Sequence, residues 1–191
     1  SYSKASVLDQ CALKFYRQHV SSVREARSAP STESRIGSAA HKVLEAIVQD
    51  GTADLDAAVE RVIEKQKLVT AEADQLRTYR GNTDKFLKWF SGFTSRYGVR
   101  STLVEAGFGV NREFAPVSYA VDWNAGPAAI REGVYAGVLP VMRGKIDLGL
   151  ITGDNALVIV DHKSGRLKRY EEYEPQLSVY AVLGAATHAV D

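Results

Sequence analysis

The chain has 191 residues, 45% hydrophobic and 25% charged, with 5 prolines, which is enough for one domain with a sizeable core. Its 24 basic and 23 acidic residues leave a net charge of +1, which excludes a generally basic protein and confines any phosphate-binding surface to a local patch. One cysteine excludes a disulfide framework. With no signal-peptide pattern, no membrane-length apolar run and no solenoid-type repeat, a cytoplasmic protein without a membrane span is expected.

Residues Ser3 to Tyr16 read as a short amphipathic helix behind a capping serine, with Val7, Leu8, Cys11 and Phe15 on its apolar side. Cys11 is then expected to be a small buried hydrophobe. Ser21 to Ser34 is polar, carries Pro30 and reads as a loop, where Arg24, Arg27 and Arg35 are either solvated or near a phosphate backbone. Arg35 to Asp50 reads as a helix stopped by Gly51, with Ile36, Ala40, Val43, Leu44, Ile47 and Val48 inward. His41 and Glu45 are four apart and stack beside that stripe.

Asp54 to Leu68 gives a third helix, and Thr70 to Tyr97 reads as one long helix ended by Gly98. Its residues Leu76, Tyr79, Thr83, Phe86, Phe90, Phe93 and Tyr97 recur at steps of three and four and are expected to pack as core against a sheet. From Thr102 the period turns strand-like. Leu103 to Val110 is a strand holding one acid, Glu105; Val117 to Val121 is a second; Asp122 to Gly137 is a turn or an excursion.

Arg143 to Ile151 is an apolar strand interrupted by Asp147, joined through Thr152-Gly-Asp-Asn155 as a hairpin to Leu157-Val-Ile-Val160. That second run leads straight into Asp161, His162 and Lys163, and strand alternation sets Asp161 and Lys163 on one face. Antiparallel pairing brings Asp147 near Asp161. Two carboxylates with a lysine beside them suit a hard divalent cation and phosphate chemistry, because such ions take oxygen ligands. The plainer alternative is an exposed ion pair contributing ~0–1 kcal/mol. A basic turn, Arg166, Lys168 and Arg169, follows, and Pro175 reads as the first turn of a last helix that stacks Gln176 on Tyr180 near its amino end.

In this order, Gly37-Ser-Ala-Ala-His41, Gly144-Lys-Ile-Asp147, Val160-Asp-His-Lys-Ser-Gly165 and Gln176-Leu-Ser-Val-Tyr180 resemble the PD-(D/E)XK nuclease superfamily, and within it the RecB-like branch. The resemblance spans nearly the whole chain. It implies a restriction-endonuclease-like α/β fold, a central mixed sheet flanked by helices, as a single domain over 1–191, with a mainly helical part over 1–98 and the sheet over 102–191. It implies Mg2+ or Mn2+ held by His41, Asp147, Asp161 and the backbone carbonyl of His162, with Lys163 serving the attacking water. Gln176 and Tyr180 would steady the lysine or the DNA, Glu45 and Glu105 would be outer acids, and Arg166, Lys168 and Arg169 would meet the DNA backbone.

The activity implied is a DNA exonuclease of recombination, repair or phage DNA metabolism, with a helicase or recombination protein as partner. The competing reading is a catalytically silent DNA-binding or scaffold subunit of a helicase-nuclease assembly; a metal hydrolase acting on other substrates is disfavoured by the Asp-x-Lys pattern. Some RecB-like nucleases close their fold with an iron-sulfur cluster on one early and three late cysteines. Only the early one, Cys11, is present, so this chain alone cannot hold a cluster: it is either a clusterless relative or lacks a C-terminal segment.

Overall fold

The computed structural model describes residues 2–20, 29–51, 54–163 and 169–188. Among them, helices α1 (Tyr2–Gln10), α2 (Ala12–Phe15), α3 (Thr32–Asp50), α4 (Leu55–Gln66), α5 (Thr70–Thr78) and α6 (Arg80–Tyr97) precede the first strand. Then come β1 (Ser101–Val110), β2 (Pro116–Val117), α7 (Gly126–Tyr135), β3 (Met142–Ile151), β4 (Leu157–Val160) and α8 (Tyr170–His188). The class is α/β, as expected, with strands in the order β2-β1-β3-β4.

The pairs β1/β2 and β3/β4 are antiparallel. So are β1 and β3, because Arg100 N–H donates to the Ile151 carbonyl at 2.8 Å while, at the opposite ends, Val141 N–H donates to the Val110 carbonyl at 2.9 Å. The four described strands therefore form an antiparallel sheet where the sequence reading expects a mixed one. The tight turn between β3 and β4, with Asn155 left-handed at φ 69°, leaves only the antiparallel arrangement open.

Two compact units divide these elements. The unit of Pro30–Ala106 and Ile146–Lys168 contains α3 to α6, β4 and parts of β1 and β3. Its helical core is Ala39, Val43 and Ile47 from α3, Leu55, Ala58, Val59 and Val62 from α4, and Leu76 from α5. Ala39, and not the expected Ala40, lies fully buried. Leu76 is 1% exposed at the centre of this cluster, so Leu76→Ala should lower unfolding free energy by ~2–5 kcal/mol in urea denaturation. The other unit, Ser1–Ala29, Gly107–Lys145 and Arg169–Val190, holds α1, α2, β2, α7 and α8. Within it Leu183 of α8 lies against Gly144 of β3, where an added Cβ would come within 2.9 Å of it.

Several local expectations are corrected. Cys11 is exposed, not buried: it adopts extended geometry (φ −165°, ψ 110°) and its sulfur accepts from the Lys14 N–H, so it caps α2 and splits the expected helix. α3 begins at Thr32, earlier than Arg35, because the Ser31 hydroxyl caps it by accepting from Ser34 N–H. Arg35 pairs with buried Glu72 at 3.1 Å and donates to the Lys67 carbonyl, so its role is structural; Arg24 and Arg27 lie outside the described residues. The long helix breaks at Tyr79 (φ −70°, ψ −8°), where Thr78 and Thr83 hydroxyls bond back to the Gln75 and Tyr79 carbonyls.

The aromatic stripe of α6 is not core. Phe86, Phe90 and Phe93 are half-buried, and many of their ring contacts run along the helix itself, such as Phe86 to Phe90 at 5.8 Å. The expected second strand shortens to Pro116–Val117, and the Asp122 to Gly137 excursion is a helical turn followed by α7 with Pro127 in its first turn. α8 starts at Tyr170, five residues before Pro175, which therefore lies inside the helix and not at its first turn. No described helix is long and apolar enough to cross a membrane.

Candidate metal centre

Three elements of the Pro30–Ala106 and Ile146–Lys168 unit bring acids and imidazoles together. His41 sits mid-way along α3, two residues past buried Ala39, so the packing of the helix stripe fixes where its ring emerges. Asp147 lies on β3 between Ile146 and Leu148, 0% and 1% exposed, and alternation turns its carboxylate to the other face. Glu105 is the outlier. It holds φ +51° inside β1, a left-handed conformation rare for a residue with a Cβ, and strain of this kind persists where surrounding structure imposes it.

Ligand atoms of His41, Glu105 and Asp147 all lie within 4.8 Å of one another. The three residues line a narrow cavity of about 10 Å3 with Glu45, Val104 and His162. His41 Nδ1 stands 3.4 Å from Asp147 Oδ1, and the backbone N–H of His162 donates to Asp147 Oδ2 at 2.7 Å. The β3/β4 register pairs Leu148 with Val160, so one further step sets Asp161 opposite Asp147. Asp161 Oδ2 takes the Lys163 ammonium at 2.6 Å, which places the two on one side as strand alternation expects. The His162 ring is edge-on to His41 at 6.1 Å and to Phe86 at 4.9 Å.

Of the residues singled out in the sequence, His41 and Asp147 therefore converge, and Glu105, expected further out, joins them at ligand range. His162 joins the cluster through its N–H on Asp147, whereas Asp161, expected as a ligand, is not among the three residues at ligand range and its carboxylate takes Lys163. Glu45 lines the same cavity but forms an ion pair with Lys42. Gln176 and Tyr180 belong to the other unit, where the Gln176 amide donates to the Tyr180 hydroxyl at 2.8 Å; with α8 starting at Tyr170 they are not at its amino end. Arg169 is exposed and its N–H donates to Glu172 Oε1, while Arg166 and Lys168 lie outside the described residues.

The electrostatics divide the two histidines. The hydrogen bond to Asp147 raises the His41 pKa, outweighing burial. Burial lowers that of His162. For Asp147, burial is the largest single influence and pushes upward, but the hydrogen bonds from His41 and the His162 N–H together hold it below the usual carboxylate value. In the metal-free protein the raised His41 stabilises fully below its unfolded pKa of about 6.5, and that share is lost as pH rises through its folded value. The lowered Asp147 stabilises above its unfolded value near 3.8, and loses this as pH falls.

Two carboxylates and one imidazole at this spacing fit a divalent cation, since the acids supply hard oxygen donors and the imidazole suits Mn2+ or other transition ions. Binding needs His41 unprotonated. Cation affinity should therefore fall with pH from above the ordinary imidazole range, and calorimetry in two buffers of different ionisation enthalpy should show proton release on Mn2+ binding at pH 7. His41→Ala should abolish that release.

The match to known proteins bears on which chemistry this arrangement serves. Residues 1–191 match the family model of the PD-(D/E)XK nuclease superfamily. The chain belongs to that superfamily. No curated protein matches it significantly. PD-(D/E)XK membership implies a nuclease that works with divalent metal on DNA, and His41, Glu105 and Asp147 form its candidate metal-binding triad. The run Asp161-His162-Lys163 follows β4 directly, with the Lys163 ammonium on the Asp161 carboxylate.

Proposed function

We propose that the chain is a Mg2+- or Mn2+-dependent deoxyribonuclease of the RecB-like branch, acting as an exonuclease in recombination, repair or phage DNA metabolism. The observation that carries this reading is the convergence of His41, Glu105 and Asp147 beside the Asp161–Lys163 pair. Asp161 and the His162 carbonyl would complete the ligand set. When bound, the cation supplies Lewis acidity toward the scissile phosphate and favours a water nucleophile.

The chain's own residues do the rest. The His162 N–H fixes one Asp147 oxygen and His41 the other, so that carboxylate is oriented before a ligand arrives. Asp161 holds the Lys163 ammonium beside the cluster, where it aligns water and offsets charge growing on the phosphate. Gln176 and Tyr180 act as a hydrogen-bonded positioning pair, and Arg166, Lys168 and Arg169 take the DNA backbone. A helicase or recombination protein is the partner that the branch points to.

Incubation with end-labelled linear DNA and covalently closed circular DNA, in Mg2+, in Mn2+ and in EDTA, tests the proposal. The expected result is degradation of linear DNA from its ends, an intact circle and no activity in EDTA. Nicking of the circle would replace the exonuclease with an endonuclease. Binding without cleavage in either metal would favour a silent DNA-binding subunit.

A further inference from the structure

The unit that carries the metal cluster also contains a larger cleft, about 250 Å3, lined from α3, α4, α5, α6 and the Tyr79 bend. His41 and His162 line both this cleft and the cavity at the cluster, and Lys163 lines the cleft as well. Away from that shared wall the lining is apolar and aromatic, with Leu76, Tyr79 and Phe86, and polar groups come from Asn82 and Thr83. Phe86 is only half-buried, although its spacing marks it for a core, and its ring is held edge-on by His162 at 4.9 Å. The Thr83 hydroxyl is turned back to the Tyr79 carbonyl, whereas Asn82 is exposed at the rim.

A concave, mainly apolar lining with a few placed polar groups is the usual form of a small-ligand site. Aromatic rings accept any base by stacking, and an asparagine amide can donate to and accept from a base edge. We propose that this cleft seats one unpaired nucleobase of the DNA strand, next to the phosphate addressed by His41, Glu105 and Asp147. The proposal rests on the nuclease reading above and adds a substrate preference to it. A base can enter only once unstacked, and unstacking costs least in a single strand or a frayed end. The chain therefore prefers single-stranded or frayed termini to intact duplex.

Single-stranded oligonucleotides carrying an abasic residue at successive positions, followed by fluorescence anisotropy in Ca2+, read this directly. One position should weaken binding about tenfold while its neighbours change little, because stacking is lost at one base only. Phe86→Leu, which keeps apolar volume without a π face, should flatten that profile and leave the salt dependence of binding unchanged. Asn82→Trp, at an exposed helical position, should do the same by crowding the mouth, and it decides the matter if Phe86→Leu folds poorly. A flat profile in the wild-type protein overturns the base pocket even where DNA is cleaved. A peaked profile lost in the variants upholds it even where no cleavage is seen, in which case only the nuclease reading fails. Equal or tighter binding of blunt duplex overturns it too.

Discussion

Lys163→Ala should cleave DNA about 100- to 10,000-fold more slowly than wild type while binding Mn2+ with unchanged affinity. The ammonium lies against Asp161 and not among the ligand atoms of His41, Glu105 and Asp147, so its loss removes no donor to a cation. What it removes is positive charge where the phosphate gains negative charge. Folding should hardly change, since the lysine side chain is 37% exposed and such pairs contribute little to stability. A gel assay of cleavage beside calorimetric Mn2+ titration checks both halves. Near wild-type cleavage would return Lys163 to the status of a surface ion-pair partner.

Asp147→Asn should lower cleavage by a factor on the order of 100 to 1,000 and remove most of the thermal stabilisation that Mn2+ gives wild type. In EDTA the sign of its effect on stability depends on pH. Asp147 faces Glu105 within 4.8 Å and His41 at 3.4 Å, and at an effective dielectric near 20 each unit-charge term is of order 3–5 kcal/mol before relaxation. While His41 is protonated, the substitution loses an attraction and relieves a repulsion of similar size. Once pH rises through the raised His41 pKa, that attraction fades while the repulsion and the His162 N–H bond, which an Asn carbonyl also accepts, remain, so the variant should gain melting temperature relative to wild type between pH 6 and 9. A constant deficit across that range, with an intact Mn2+ response, would mark Asp147 as a structural acid.

Why some of this was legible in the sequence and some was not follows from what periodicity encodes. Asp147 and Asp161 stood out because a charge inside an aliphatic strand is expensive unless something compensates it, and the Thr152 to Asn155 turn fixed the hairpin that aligns them. Helical spacing places His41 beside a buried stripe, but its reading as a ligand comes only from the resemblance to the PD-(D/E)XK superfamily. Glu105 carried the same signal as Asp147, an acid between Val104 and Ala106, but the left-handed backbone at that residue has no sequence period, and its ligand-range position followed only from coordinates.

The helical errors share a cause. Cys11 reads as apolar at helical spacing, but its sulfur accepts from Lys14 N–H and ends one helix to begin the next. Tyr79 continues an aromatic stripe that the threonine hydroxyls on either side of it interrupt. Pro175 is a good first-turn residue, yet Glu171 and Glu172 already open α8 upstream of it, with the Glu172 carboxylate accepting from Arg169 N–H. In each case local side-chain to backbone bonding, which hydrophobic spacing does not report, set the boundary.

Calorimetric titration of Mn2+ into wild type and Glu105→Gln at pH 7.5 bears most directly on the metal centre. Glu105 lies at ligand range of both His41 and Asp147, and the amide keeps its size while removing its charge. The expected result is a saturable site in wild type weakened at least about tenfold in Glu105→Gln, with the metal-free melting temperature unchanged or higher. Equal Mn2+ affinity in the two proteins, or no saturable site in wild type, would contradict a cation held by His41, Glu105 and Asp147.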